Sequence, residues 1–319
     1  MNAVNHLFQD EDVAIEENLI RVSSNSAFTN QEQTNQVFSE KWGEVNKEEE
    51  DVEKMIDMQL KWYLKLYGFS SNDDLAAFLC RQNVILDAGC GLGYKAAWFA
   101  TLAPDSTVIG MDFSEAAILA ANRYKHIKNL FFVRGDIANT PLKKGSIGYV
   151  SCDQVIHHTE KPAETFKHLA SLLAPGGELA CYVYAKKALP RELVDDYFRE
   201  YSKKLTHQQL WELSEQLTEL GKNLTKLKAS FHCPDIPALG IKGGEYDVQR
   251  FLYWNFLKCF WREDSSDKLS VATNFDWYAP SNAARYSLEE FNQWGIDNKL
   301  EKVFSHSEEA CHTGRFKKK

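Results

Sequence analysis

Between Val84 and Tyr184 the chain alternates short apolar runs with amphipathic stretches. Val84-Ile85-Leu86, Thr107 to Met111, Leu130 to Val133, Ile147 to Cys152 and Glu178 to Tyr184 are compact runs expected to be buried strands. Tyr94 to Leu102, Ser114 to Lys125 and Pro162 to Leu173 fall between them with helical spacing, and Ser114 is suited to cap the second of these helices. Strands alternating with helices of this length predict an α/β, doubly wound, mostly parallel sheet.

The flanks have other rhythms. Val52, Met55, Ile56, Gln59, Tyr63, Leu66 and Tyr67 recur at helical spacing, which predicts an amphipathic helix over Glu48 to Tyr67. Upstream, residues 1–30 mix Asn, Ser, Glu and Asp and read as a loosely ordered arm, with a short helix expected over Ala14 to Val22. Beyond Tyr184, helices are expected over Glu192 to Tyr201, His207 to Leu220 and Tyr246 to Trp261, interrupted by "HCPDIPALGIKGG" with its breakers. A helix over Ser287 to Asn298 and strands over Glu301 to Ser305 and Cys311 to Lys317 close the chain. This gives four segments: an arm and helical cap (1–80), a core (81–185), a helical insertion (186–273), and a terminal helix with a strand pair that completes the core sheet (274–319). An insertion placed after the fifth strand emerges at the carboxyl edge of the sheet, where ligands bind in such folds, so it is expected to act as a lid.

Composition narrows the classes. With 319 residues, 44% of them hydrophobic, the chain can bury a full core. Lys+Arg 37 against Asp+Glu 45 leaves a net charge of −8, the opposite of the basic field that nucleic-acid binding needs. Seven scattered Cys without a CxxC argue against a disulfide framework and a zinc site, so no metal is expected and a reducing cytoplasm fits. The first ten residues lack the basic start and apolar core of a signal peptide, and no run approaches the about 18 apolar residues of a membrane span. Neither membrane nor nucleic acid is an expected partner; oligomeric state is not readable.

Chemistry concentrates in "VILDAGCGLGYKAAWFA", Val84 to Ala100. Gly89, Gly91 and Gly93 form G-x-G-x-G between a strand and a helix, where the backbone turns sharply and a ligand can lie against it. Asp87 is placed at the end of the first strand and Asp112 at the end of the next, where a carboxylate can take ribose hydroxyls. Asp136 in "RGDIANTPL" follows the third strand, where it can meet an adenine edge. Dinucleotide binding prefers G-x-G-x-x-G/A, and bulky Tyr94 occupies the sixth position; no Gly-Lys-Ser/Thr follows for a P-loop.

Together, Asp87-Ala88-Gly89-Cys90-Gly91-Leu92-Gly93, Asp112, Gly135-Asp136, "VIHHT" and "LAPGGEL" resemble the successive motifs of class I S-adenosylmethionine-dependent methyltransferases over about Asn83 to Tyr184. The resemblance implies a seven-stranded Rossmann-like sheet with a final antiparallel hairpin, and S-adenosylmethionine as cofactor. It places Gly89, Gly91 and Gly93 at the methionine and ribose portion, Asp112 on the ribose with Phe113 beside it, and Asp136 with Ile137 around the adenine. "FSEKWGE" (Phe38 to Glu44) and "NFDWYAPSNAARYSLEEFNQW" (Asn274 to Trp294) are similar to segments of bacterial small-molecule methyltransferases linked to polysaccharide and natural-product pathways. The chain departs from that pattern after Pro280, where a more basic, His-containing run is usual.

Methyl transfer is an in-line displacement at a sulfonium, so the protein supplies positioning, water exclusion and a base where the nucleophile carries a proton. His157 and His158, just past the fourth strand, are the candidate bases, with loop packing as the alternative role. Asp153 at the tip of the central strand can neutralise the sulfonium, hold an ammonium or deprotonate an acceptor amine. Of Tyr182 and Tyr184 only one is expected to face the site, and Tyr184 at the strand end is the one placed to offer a ring face to the sulfonium, a contact worth about 0.5–2 kcal/mol. Arg285, Tyr286 and Asn282 offer polar contacts to an acceptor carboxylate or to the methionine end, and Trp254, Phe256, Phe260, Trp261, Phe275, Trp277 and Tyr278 either core the insertion or wall a dry pocket. Two other readings stand beside methyl transfer: cleavage or cyclisation of the cofactor's aminocarboxypropyl arm, as in azetidine-2-carboxylate formation with release of methylthioadenosine, and cofactor binding without turnover.

Overall fold

The computed structural model describes residues 4–9, 13–21, 32–33, 35–39, 49–263 and 266–319; of "FSEKWGE" only Phe38 and Ser39 lie within them. The described chain gathers into two compact units, one built on residues 53–185 and 284–319 with the N-terminal pieces, the other on residues 186–283.

In the first unit, strands β3 (Val84–Ala88), β4 (Thr107–Asp112), β5 (Leu130–Arg134), β6 (Ile147–Cys152) and β7 (Leu173–Ala185) pair in parallel, in the order β5-β4-β3-β6-β7. The antiparallel pair β11 (Leu300–Ser307) and β12 (Cys311–Lys318) continues the sheet as β7-β12-β11. These are the seven strands the sequence implied. Three short strands extend them: β1 (Ala14–Glu16) and β2 (Leu19–Arg21) on the β5 edge, and β10 (Arg285–Tyr286) beside β7, making ten.

Alternation along each strand separates two apolar layers. Leu86, Ile109, Val133 and Val150 face one side, where helices α5 (Pro162–Leu172) and α10 (Leu288–Asp297) pack Phe166, Leu169, Phe291 and Trp294 against them. Ile85, Val108, Phe132 and Tyr149 face the other, covered by α1 (Glu49–Tyr67), α2 (Asn72–Leu79), α3 (Tyr94–Leu102) and α4 (Ala116–Arg123) through Tyr63, Tyr67, Leu75, Phe99 and Ala120.

The helix expected over Ala14 to Val22 is instead the β1-β2 hairpin. Glu17 turns it in the left-handed region at φ 54°, and β2 then pairs with the open edge of β5, Phe132 N–H donating to the Asn18 carbonyl at 2.8 Å. A tertiary edge overrode a weak local pattern. In the second unit α6 (Leu189–Ser202), α7 (His207–Lys226) and α8 (Val248–Asn255) lie where helices were expected, but α8 stops at Asn255 and "HCPDIPALGIKGG" bends into a hairpin of β8 (Ser230–Cys233) and β9 (Gly244–Asp247). A further helix, α9 (Asp267–Tyr278), takes up the start of the segment read as a flank and buries Phe275, Trp277 and Tyr278. Among the described residues no helix is long and apolar enough to cross a membrane.

Candidate active site

The turn from β3 into α3 carries its glycines in left-handed backbone, with φ 82° at Gly89, 50° at Gly91 and 77° at Gly93. A Cβ on Gly89 would lie 2.3 Å from Val155 Cγ2, and one on Gly93 2.7 Å from the Ala120 Cβ, so neither position accepts a side chain. Asp112 at the end of β4 holds this turn. Its Oδ2 accepts from Gly91 N–H at 2.8 Å, and its Oδ1 from the Ser114 N–H at 2.9 Å and hydroxyl at 2.6 Å. A carboxylate offers about four acceptor positions, so this half-buried group keeps room on Oδ2 for a ligand hydroxyl. Phe113 follows it, half-buried.

After β5, Asp136 Oδ1 accepts from Ala138 N–H at 2.9 Å, and burial raises its pKa although that hydrogen bond opposes the shift. Ile137 is buried beside it. Asp87, Asp112, Asp136 and Asp153 thus all stand at the carboxyl ends of neighbouring parallel strands, as the sequence placed them.

Asp153 is not an isolated acid. Its Oδ1 accepts from the Tyr67 hydroxyl at 2.9 Å; its Oδ2 lies 3.3 Å from Lys95 Nζ and 3.3 Å from Gln154 Nε2. Lys95, in the first turn of α3, also lies 3.2 Å from Asp87 Oδ1 and faces the Tyr63 ring. All three charged groups are buried. Desolvation acts to lower the Lys95 pKa, but Asp87 and Asp153 outweigh it and the amine is held protonated. Burial pushes the Asp87 carboxyl up to about 6, with Lys95 pulling the other way. Gln154 takes left-handed backbone at φ 63° and donates to Gln59 Oε1 at 2.7 Å, which places α1 directly over this strand end. Below them Tyr63 pairs its hydroxyl with Tyr149 at 2.6 Å and donates to Ser151 Oγ at 3.2 Å. Lys95, Tyr67 and Gln59 escaped the sequence reading as site residues. The signal that could have found Lys95 is the pair of acids itself, since two buried carboxylates on adjacent strands require a cation.

His157 and His158 are buried in a short turn after β6. The His157 ring lies 3.7 Å from that of Tyr184 and 4.3 Å from that of His158, while His158 meets Phe38 edge-on at 4.9 Å. The His157 carbonyl accepts from Ala284 N–H at 2.9 Å. Tyr182 and Tyr184 do share one face of β7, their rings 6.0 Å apart and packed in the same apolar layer, which corrects the expectation that only one would face this side. Positions two apart on a strand must point the same way. Arg285 and Tyr286 form β10; the Tyr286 ring packs on Trp294 at 4.7 Å, and burial pushes its hydroxyl up to about 12. Among the described residues no cluster of His, Cys, Asp and Glu could hold a metal.

A doubly wound sheet with a glycine turn and a row of strand-end acids defines a nucleoside-ligand-binding α/β domain. Residues 81–230 match the family described as "Methyltransferase domain". The chain is 34% identical over 102 residues to a probable S-adenosylmethionine-dependent methyltransferase of Mycolicibacterium smegmatis, covering 32% of this chain and 38% of that one. It is 34% identical over 101 residues to trans-aconitate 2-methyltransferase of Deinococcus radiodurans, again covering 32% and 38%. The magnesium protoporphyrin IX methyltransferase of Synechocystis, solved with S-adenosylmethionine bound, aligns at TM-score 0.47 and 13% identity over 93% of this chain and 100% of that one. The chain thus spans well under half the length of these two curated relatives. Its residues 81–230 are similar to the methyltransferase domain of class I S-adenosylmethionine-dependent methyltransferases. The cofactor of that family is S-adenosylmethionine, and the glycine turn, the spare acceptor position on Asp112 and the surplus of carboxylates over cations fit an adenosyl group bearing a positive sulfur.

Proposed function

We propose that the chain transfers the methyl group of S-adenosylmethionine to a small molecule. The observation that carries this reading is the hydrogen bond from Gly91 N–H to Asp112 Oδ2 in a turn with no room for side chains at Gly89 or Gly93. Asp112 would take a ribose hydroxyl, with Phe113 beside it; Asp136 and Ile137 would bracket the base; Gly89, Gly91 and Gly93 would let backbone approach the sulfonium end. Bound there, the cofactor supplies an electrophilic methyl group whose loss leaves a neutral thioether.

The residues of this chain then orient, desolvate and move a proton. Lys95 and Tyr67 fix the Asp153 carboxylate and Lys95 also neutralises Asp87, so the strand end is polar and rigid before any ligand arrives. Asp153, so held, serves as an electrostatic partner of a cation. Tyr184, packed against His157, presents an aromatic wall. Where the acceptor carries a proton, we assign the base to His158, because the His157 ring lies against that of Tyr184 at 3.7 Å and its backbone anchors Ala284. Curated relatives that methylate trans-aconitate and malonyl-[acyl-carrier protein] make carboxylates the first acceptors to try.

The test is a product assay. Purified chain, S-adenosylmethionine and a panel of small acids should yield adenosylhomocysteine only with an acceptor present. Methylthioadenosine formed from the cofactor alone would replace this reading with cleavage of the aminocarboxypropyl arm, and neither product would replace it with binding alone. Asp112→Ala should weaken cofactor binding tenfold or more by calorimetry, about 1.4 kcal/mol; unchanged affinity would place the cofactor elsewhere.

A further inference from the structure

The helical unit holds a second charged centre. Residues 256–261 leave α8 as an irregular strap rather than a helix. Buried side chains pin its backbone along its length: Tyr278 Oη accepts from Lys258 N–H at 3.1 Å, Gln249 Nε2 donates to the Cys259 carbonyl at 2.9 Å, and Asn274 both accepts from Phe260 N–H at 2.8 Å and donates to its carbonyl at 3.1 Å. Tyr278, Gln249 and Asn274 are each at most 2% exposed. On the other side, the Cys259 carbonyl lies where a Cβ on Gly221 would be, at 2.4 Å. A segment without regular structure is therefore held from three helices.

What this strap presents is Lys258. The residue is 7% exposed, and its ammonium lies 4.5 Å from the centroid of the Trp277 ring with no hydrogen bond or ion pair to any described residue. The neighbouring cation, Arg191, also faces Trp277, at 5.1 Å, but is neutralised by both oxygens of Asp195 at 2.9 Å and donates to the Tyr253 carbonyl. The groups acting on Lys258 are Arg191 and Lys187, which repel its charge, and Asp276 and Asp195, which favour it without reaching ion-pair distance. Buried ammonium groups are normally paired. This one is paired with nothing but an indole face.

We propose that Lys258 is the recognition group of a binding site for a small organic carboxylate within the helical unit. The carboxylate supplies the oxyanion partner that Lys258 lacks, and Trp277 gives the carbon skeleton apolar surface. Desolvation, with Arg191 beside it, brings the amine down to about 7. The charge that the ligand needs is therefore present at pH 6 and mostly gone at pH 8.5, and an amine titrating near 7 gives up about thirtyfold in affinity over that interval.

Calorimetry on the full chain without cofactor tests this with benzoate, indole-3-acetate and malonate as probes. At least one acid is expected to bind at pH 6, with its neutral methyl ester silent, and to weaken roughly thirtyfold by pH 8.5. Lys258→Met should abolish binding while cofactor affinity at the Asp112 site stays unchanged. The proposal is overturned if no acid binds at pH 6, if affinity is flat between the two pH values, if Lys258→Met binds as well as the native chain, or if inorganic phosphate binds and the carboxylates do not. The pH series on the native chain decides even where the variant fails to fold. Because no cofactor is used, failure here leaves the methyl-transfer reading intact.

Discussion

Replacing Lys95 by Met probes the charge balance beneath the proposed cofactor site. The native arrangement sets one ammonium between two carboxylates, at 3.2 Å from Asp87 and 3.3 Å from Asp153, with side chains 9%, 0% and 7% exposed. Removing one partner of a buried pair costs about 3–5 kcal/mol, because it strands charge in a medium that solvates it poorly. Here two acids are stranded. Asp87 already titrates at about 6 rather than 3.8 with the lysine in place, a shift of 6 − 3.8 = 2.2 units that corresponds to about 3 kcal/mol of disfavoured ionisation. The sign follows from proton counting. A raised acid binds more protons folded than unfolded, so its favourable contribution is complete below pH 3.8 and is lost as pH rises through about 6.

Without Lys95 that window moves upward and the loss deepens. Guanidinium unfolding of Lys95→Met, followed by tryptophan fluorescence, should show about 3–5 kcal/mol lost at pH 8 and less than half of that at pH 5, where Asp87 is protonated in both proteins. The double variant Lys95→Met with Asp87→Asn should recover much of the loss at pH 8. An equal loss at both pH values, or no loss at either, refutes the account of a lysine whose role is to neutralise buried acids.

Three further outcomes are expected. Tyr67→Phe removes the hydroxyl that donates to Asp153 Oδ1 at 2.9 Å and should cost about 1–3 kcal/mol in the same unfolding assay; no loss would mean that water replaces the hydroxyl without penalty. Gly89→Ala puts a methyl group 2.3 Å from Val155 in backbone at φ 82°, so it should weaken cofactor binding in a calorimetric titration. Adding Val155→Ala should restore only part of that loss, since the backbone strain of about 1–2 kcal/mol stays; full recovery would contradict the strain. Lys258, at about 7 against 10.5 when unfolded, binds fewer protons folded, so its burial penalty is full below pH 7 and fades as pH approaches 10.5. Lys258→Met should therefore raise the melting temperature more at pH 6 than at pH 10, and a gain that is independent of pH would exclude the titration.

The sequence displayed what its own periodicity encodes and concealed what distant segments supply to one another. The parallel sheet and the acids at the strand ends were readable because each rests on a local pattern: an apolar run, a turn residue, an acid, then a helix. The Ala14 to Arg21 hairpin was not, since its pairing depends on the bare edge of β5 more than a hundred residues away. Tyr67 was visible as an apolar position of a helix, yet the ring that fills the core also carries the hydroxyl that reaches Asp153, and spacing reports only the first property. Lys95 and Lys258 show the limit most sharply. A lysine in a helix or loop reads as surface, because burying its charge is costly and uncommon. At Lys95 that cost is offset by two acids from adjacent strands, and the pair Asp87 and Asp153 could have been asked what balances them. At Lys258 no residue answers the same question. The two lysines therefore obey one rule, that a buried ammonium needs an oxyanion, and differ in whether the chain itself provides it.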